Sequence, residues 1–422
     1  MDQPQSRTVR YAVVGVSSLA LLLFLGWLIL RESPPSPVQS VRFAPVPSSV
    51  SPPASTPKPD EGSPREPATN QVTAPIITNA AVFYKQAFAL YDALSKEDID
   101  LIFGGTNNPS VAADLCGKIQ PMCDLIRQAA AVSNCDWGVE QPVTTNTVYP
   151  YLQGLQDSRN LARAAIWSVG HCRTNDASAA IDDLIATSRL GQNVSSPATE
   201  IGLLVDLAIQ GLVAYSVAEN ASFLASADDS QLIDLLTNAH YDDELRRVFE
   251  QSADTNTRFA DDLTDMPPDE ALRQLTNRWT EAGYASFASQ IQSMGLAQAV
   301  ADLRQVAELE REYADALVLP DAEYSAWMAS RDEAGIANPF VAFYVTPLER
   351  SVDHAQYATV ISAMAAAGLA VMQDGPDALS SYPDPATGRP FTYTQTDDGF
   401  TLESGFQPQG NSQRWPVKLS FM

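Results

Sequence analysis

Residues 201–218 read IGLLVDLAIQGLVAYSVA, and the place of this stretch decides the fold. Strongly polar side chains enter it only at Asp206 and Gln210, so as a helix it is apolar on every side. Its length is close to that of a membrane span. A mid-span aspartate costs roughly 2.5–3.5 kcal/mol on insertion scales, which argues against the bilayer. The helix therefore belongs at the centre of a bundle, with other helices on all sides. Residues 355–373, AQYATVISAMAAAGLAVMQ, read the same way. Their alanines let neighbouring helices come close, and Asp374-Gly375-Pro376 ends the run.

Outward from these two helices the apolar pattern keeps a 3.6-residue period from residue 76 onward. Asn79 can cap a first helix with a stripe of Phe83, Ala87, Leu90, Tyr91 and Leu94. Asn108-Pro109 reads as the cap and first residue of the next. NLARAAIWSVGHC (160–172), the turn RTND, and ASAAIDDLIATSRLG form a helical hairpin, with Gly191 as its expected stop. Pro267-Pro268-Asp269 opens a helix bearing Leu272, Leu275 and Trp279, and a long one carries Leu296, Val300, Leu303, Tyr313 and Leu317. Strand-like alternation begins only near residue 390. The expected fold is mainly α, an irregular bundle or repeat-like array over 76–375, with a small β-hairpin tail over 376–422.

Ahead of that body the chain changes character. Residues 11–30, YAVVGVSSLALLLFLGWLIL, carry no charge and match the hydrocarbon thickness of a bilayer. Arg7 and Arg10 precede them, so residues 1–10 are expected in the cytoplasm and the rest outside. A cleaved signal peptide is the competing reading. Its apolar core would be shorter, and no small-x-small site or lipobox cysteine follows promptly. Residues 31–75 hold twelve of the 29 prolines, mixed with serine and threonine, which makes them an extended tether that cannot form a core. Together these place a single-pass protein in a bacterial inner membrane, with its folded part in the periplasm.

Charge and cysteines narrow the partners. The formal charge is −25, only five lysines occur, and no basic patch is visible, which excludes nucleic acid. Cys116, Cys123, Cys135 and Cys172 all lie beyond the anchor, and an even count outside the cytoplasm suggests disulfides. The expected pairing is Cys135 with Cys172, and Cys116 with Cys123 across Pro121; reduced buried thiols are the alternative.

Catalytic signatures are few. The three histidines, His171, His240 and His354, have no third ligand near them, and there is no His-Glu-x-x-His, Gly-x-Ser-x-Gly or phosphate-cradling loop. Acid groups such as Asp182-Asp183, Asp242-Asp243, Asp261-Asp262 and Glu308, Glu310 and Glu312 are expected by chance among 51 acids and read mostly as solvated helix faces. No catalytic, metal or cofactor residue is assigned.

The tail does carry a family pattern: Asp384-Pro385, Gly388, Pro390-Phe391, Tyr393, Gly399-Phe400, Leu402, Ser404-Gly405. It resembles the C-terminal hairpin of type II secretion pseudopilins. The anchor departs from that family, with no processing site or glutamate, so pilus assembly and calcium binding are not implied. The RTND hairpin resembles one tetratricopeptide unit. The Cys135–Gly138 element, the Leu161-Ala162-Arg163 helix and the tail together resemble bacterial envelope proteins built as anchor, helical body and hairpin, a resemblance that implies no activity. The expectation is a membrane-tethered, non-enzymatic scaffold or binding protein with an envelope protein partner. Its alternatives are an accessory part of a secretion or pilus-like system, and an envelope hydrolase with paired carboxylates.

Overall fold

Side-chain caps set the starts of five helices among the described residues. The computed structural model describes residues 77–106, 108–138, 145–281, 285–319, 321–334, 338–407 and 417–422. The anchor and tether expected over 11–75 lie outside them. Asn79 caps α1 (Ala80–Asp92) by accepting from the Ala81 N–H. Ser95 and Asp98 close a capping box on α2 (Lys96–Gly104), and Asn108-Pro109 opens α3 (Pro109–Ala130). Next come α4 (Thr145–Cys172), α5 (Ala177–Ser195) capped by Asp176 of the RTND turn, and α6 (Glu200–Glu219) capped by Thr199. Short α7 (Ala221–Leu224) and α8 (Ser230–Thr237) lead to α9 (Asp242–Asp265), α10 (Pro268–Glu281) and α11 (Ala285–Met294). Helices α12 (Leu296–Ala316), α13 (Asp321–Ala334) and α14 (Pro339–Asp374) complete the body. A 3₁₀ turn, Pro376–Ser381, then leads into an antiparallel sheet of β1 (Thr392–Thr396), β2 (Gly399–Glu403) and β3 (Lys418–Phe421), in that order.

Helix α6 is the axis around which three cores meet. Ile201, Val205 and Ile209 pack with apolar residues of α1 to α5. Leu203 and Leu207 join the cluster of α9 to α13 and the first half of α14. Val213, Ala214, Val217 and Ala218 face α7, α8, the second half of α14 and the sheet. A helix with neighbours on three sides has no solvent face to make polar, which is why its sequence shows no amphipathic stripe. Both long apolar helices have 72% of their most apolar window buried inside the fold. Each fully buried leucine, isoleucine or valine in them contributes roughly 1.5–3 kcal/mol.

The structure corrects four local expectations. On α1 the buried face is Tyr84, Ala87, Phe88 and Tyr91; of the expected stripe, Ala87 and Tyr91 are buried and Phe83 and Leu94 pack partly against the core, while Leu90 is exposed. Helix α3 runs straight through Pro121, which lies on its exposed side. Helix α5 continues past Gly191 to Ser195, so that glycine is not a stop. The tail is a three-stranded sheet rather than a hairpin alone. Its tight turn is Asp397-Asp398, with Thr396 paired to Gly399. Gly399 is required chiefly because the Phe421 carbonyl of β3 occupies the space a Cβ would need.

Strand β3 docks the sheet on the body. Phe421 is 1% exposed, stacks on Phe400 at 4.9 Å between ring centroids, and lies against Gly368 of α14. The alanine-rich run thus serves a strand as well as neighbouring helices. A Cβ at Gly368 would overlap the Phe421 ring. Gly368→Ala should therefore cost about 2–3 kcal/mol, within the usual range for overpacking, although alanine is the better helix former by about 1 kcal/mol. Thermal unfolding followed by circular dichroism measures it, and an unchanged or raised midpoint would refute the tight seat.

Candidate functional site

The carboxylate-hydrolase alternative makes buried acids the groups to locate first. Two of them, Asp206 and Glu310, are 1% and 3% exposed. Asp206 lies in the seam of α5 and α6, accepting from Gln210 Nε2 at 2.7 Å and Ser195 Oγ at 3.2 Å. Gln210 also donates to the Ser188 carbonyl at 3.0 Å and accepts from Ser188 Oγ at 2.7 Å. The two polar residues that interrupt α6 thus satisfy each other and two serines of α5, as buried polar groups must. Burial pushes the Asp206 carboxyl up to about 7, against those hydrogen bonds and with help from the Glu244 charge.

Gly191 explains how this network fits. A Cβ there would overlap the Asp206 carboxylate and come 3.0 Å from Gln210 Nε2. The glycine expected to end α5 instead opens room for a polar bridge. Gly191→Ala should lose about 2–3 kcal/mol, the opposite sign from a glycine-to-alanine change at an open helical site. Chemical denaturation reads the change, and a gain in stability would contradict the packing.

Glu310 occupies a different seam, on α12 facing α9. It accepts from Ser252 Oγ at 2.6 Å and from Asn256 Nδ2 at 2.9 and 3.1 Å. Desolvation raises its carboxyl to about 7, and the Glu200 charge adds to the rise. Glu200, at the start of α6, accepts from Ser351 Oγ of α14 at 2.9 Å and is likewise raised to about 7 by burial. A carboxyl poised near neutrality suits a general acid or base. Asp206 and Glu310, however, are sealed between helices and held by neutral hydroxyl and amide groups.

Another buried acid is tied up in ion pairs. Asp183 of α5 accepts from Arg173 Nε at 2.8 Å and also pairs with Arg127 of α3. Its carboxyl is raised by desolvation, the largest influence, against the pull of both guanidiniums. The Asp182-Asp183 doublet, read as a solvated face, is split: Asp182 is exposed and Asp183 is not. Residue type at adjacent positions could not reveal this, because a helix turns neighbours about 100° apart.

The cysteines pair differently from the expectation. Cys116 of α3 bonds Cys172 at the end of α4, with Cα atoms 5.6 Å apart. Cys123 is buried and free, and Cys135 is partly exposed and free. Because α3 is continuous, Cys116 and Cys123 are separated by seven residues of helix, about 10 Å at 1.5 Å per residue, beyond disulfide reach. Burial pushes both free thiols up to about 12, so they stay protonated at neutral pH.

The Cys135–Gly138 element packs as a structural latch. Trp137 of the Cys-Asp-Trp-Gly element stacks near Tyr84 and Phe88, and its Nε1 donates to the Asn193 carbonyl at 2.7 Å. Asn79 exchanges two hydrogen bonds with the Asp136 backbone. His171 stacks on Trp167 at 4.3 Å, His240 is exposed, and His354 is pushed down by burial. Among the described residues no group of three His, Cys, Asp or Glu is placed to hold a metal ion.

The tail motif has a similar cause. Asp384 is 1% exposed and accepts from the Ala386 N–H at 3.0 Å, Thr387 Oγ1 at 3.1 Å, Ser404 Oγ at 2.9 Å and the Gly405 N–H at 2.9 Å. One carboxylate thereby ties the loop before β1 to the end of β2. Sequence reasoning missed this hub, although Asp384-Pro385 with Ser404-Gly405 was the available signal. Gly388 has φ 64°, the left-handed region that favours glycine. The chain matches no protein-family model, no curated protein and no solved structure.

Proposed function

We propose that this protein is a membrane-tethered, non-enzymatic helical scaffold or binding protein of the bacterial envelope, reaching a protein partner from the inner membrane. The observation that carries this reading is the state of the buried acids. Asp206 and Glu310 lie in separate helix seams, each saturated by hydroxyl and amide partners, so their raised carboxyls serve packing rather than a reacting substrate. The uncharged 11–30 segment and the proline-rich 31–75 segment supply the anchor and spacer. The likeness of the tail to pseudopilins supports the accessory-subunit alternative.

The test uses a deletion strain complemented by the full chain or by a Glu200→Gln/Glu310→Gln double variant. Complementation equal to the parent, with protease reaching the folded part only from the periplasmic side, is the expected result. A folded double variant that fails to complement would transfer the argument to the hydrolase. A secretion defect in the deletion strain would favour the accessory subunit.

A further inference from the structure

We propose that the outer edge of β1 is a pairing surface for β1 of a second copy of this chain, related by a two-fold axis through Thr394. The sheet order β1-β2-β3 leaves β1 at one edge and β3 at the other. The β3 edge is engaged with the body, where the Met422 carbonyl accepts from the Ser222 N–H at 3.3 Å. The β1 edge carries no strand among the described residues from Thr392 to Thr396. Its sequence, TYTQT, lacks the lysine, proline or bulge that ordinarily protects an edge, and all of it but the partly buried Tyr393 is exposed.

The register determines which groups are free. A two-residue loop pairs Thr396 with Gly399, Thr394 with Thr401 and Thr392 with Glu403. Antiparallel alternation makes these the inward-bonding positions and turns the N–H and C=O of Tyr393 and Gln395 outward. A two-fold axis at Thr394 sets Tyr393 of one copy opposite Gln395 of the other, so the four outward groups of each strand meet their complements. On one face Thr392 meets Thr396 of the second copy and Thr394 meets itself, threonine pairs that favour the sheet. On the other face tyrosine meets glutamine, a pair already joined within one strand by a Tyr393–Gln395 hydrogen bond. Before β1 the chain bridges back on itself, Pro390 against Pro383 with the Asp384 N–H donating to the Arg389 carbonyl at 2.7 Å, so the surface offered for pairing is confined to Thr392–Thr396. The docking of β3 and the Asp384 hub hold the sheet in place before pairing, which limits the ordering cost.

The experiment uses the full chain in detergent. Thr394 pairs with itself at a non-hydrogen-bonded position, where Cα atoms approach about 4.5 Å. Thr394→Cys should give a reducible covalent dimer under mild oxidation, whereas the parent, Thr392→Cys alone and Thr396→Cys alone should not. Mixing Thr392→Cys with Thr396→Cys should restore the crosslink. Gln395→Pro removes an outward backbone donor and the side-chain bond from Gln395 Nε2 to the Gly399 carbonyl, but none of the inward backbone N–H groups. It should raise the dimer dissociation constant at least about tenfold, the equivalent of about 1.4 kcal/mol, with the circular dichroism spectrum of the folded chain unchanged. A single-chain mass at every concentration with no Thr394→Cys crosslink would overturn the proposal. So would a dimer that survives Gln395→Pro without that crosslink. Residues 408–416 covering this edge would appear as the same negative crosslink.

Discussion

Raising the pH from 5 to 8 should lower the stability of this protein, and Glu310→Gln should remove part of the loss. Asp206 and Glu310 have carboxyls pushed up to about 7 by burial. Such a group binds its proton more tightly folded than unfolded, so the folded state holds more protons between about 4 and about 7. Stability therefore falls as pH rises through that window and levels off above it. Moving a glutamate from 4.5 to about 7 is worth at most roughly 3 kcal/mol, and relaxation around the charge reduces that. The net charge of −25 acts in the same direction, since repulsion grows as carboxyls ionise. Asp98 acts oppositely: its hydrogen bond with Lys118 lowers its pKa, so its contribution is lost at still lower pH. At pH 8, Glu310→Gln should be about 1–2 kcal/mol more stable than the parent, because it ends the cost of burying a charge. At pH 5 the two should nearly coincide. Thermal midpoints across this range decide it. A midpoint that climbs with pH, or a glutamine variant with the parental slope, would show that these carboxyls are not buried as described.

Cys116→Ser/Cys172→Ser should cost about 4 kcal/mol, by the loop-closure entropy of a bridge spanning 56 residues. The bridge joins α3 to the end of α4, spanning the segment that includes Cys135. Cys123→Ser and Cys135→Ser should leave the oxidised bridge intact. Peptide mapping under non-reducing conditions should recover the residue 116 and 172 fragments together. Recovery of a Cys135–Cys172 fragment would restore the pairing expected from sequence and refute this one. Midpoints with and without reductant supply the magnitude.

Much of the topology was legible in the chain. Asn79, Asn108-Pro109, the RTND turn, Pro268 and Asp374-Gly375 mark helix ends because caps and breakers act over a few residues. The apolar-all-round reading of 201–218 placed α6 in the interior for the right reason, since a mid-helix aspartate needs protein partners. Those partners could not be read. Ser188, Ser195 and Gly191 lie on another helix, and nothing in their local pattern signals a shared seam with Asp206. The cysteine pairing failed similarly: Cys116 with Cys123 needed a loop at Pro121 that the continuous helix does not make, and Cys135 with Cys172 needed a meeting of segments that local pattern cannot place.

The sequence by itself thus determined the helices and the late appearance of strands, and it set the expectations of an anchor, a tether and no nucleic-acid partner. These rest on periodicity, caps and summed charge, which are properties of neighbouring residues. Only the tertiary structure decided which cysteines meet, why Gly191 and Gly368 are glycines, that Asp183 is buried beside an exposed Asp182, and that a third strand completes the tail. Each of these depends on distant segments occupying the same space, where close packing leaves no room for a Cβ and burial leaves no water for a charge.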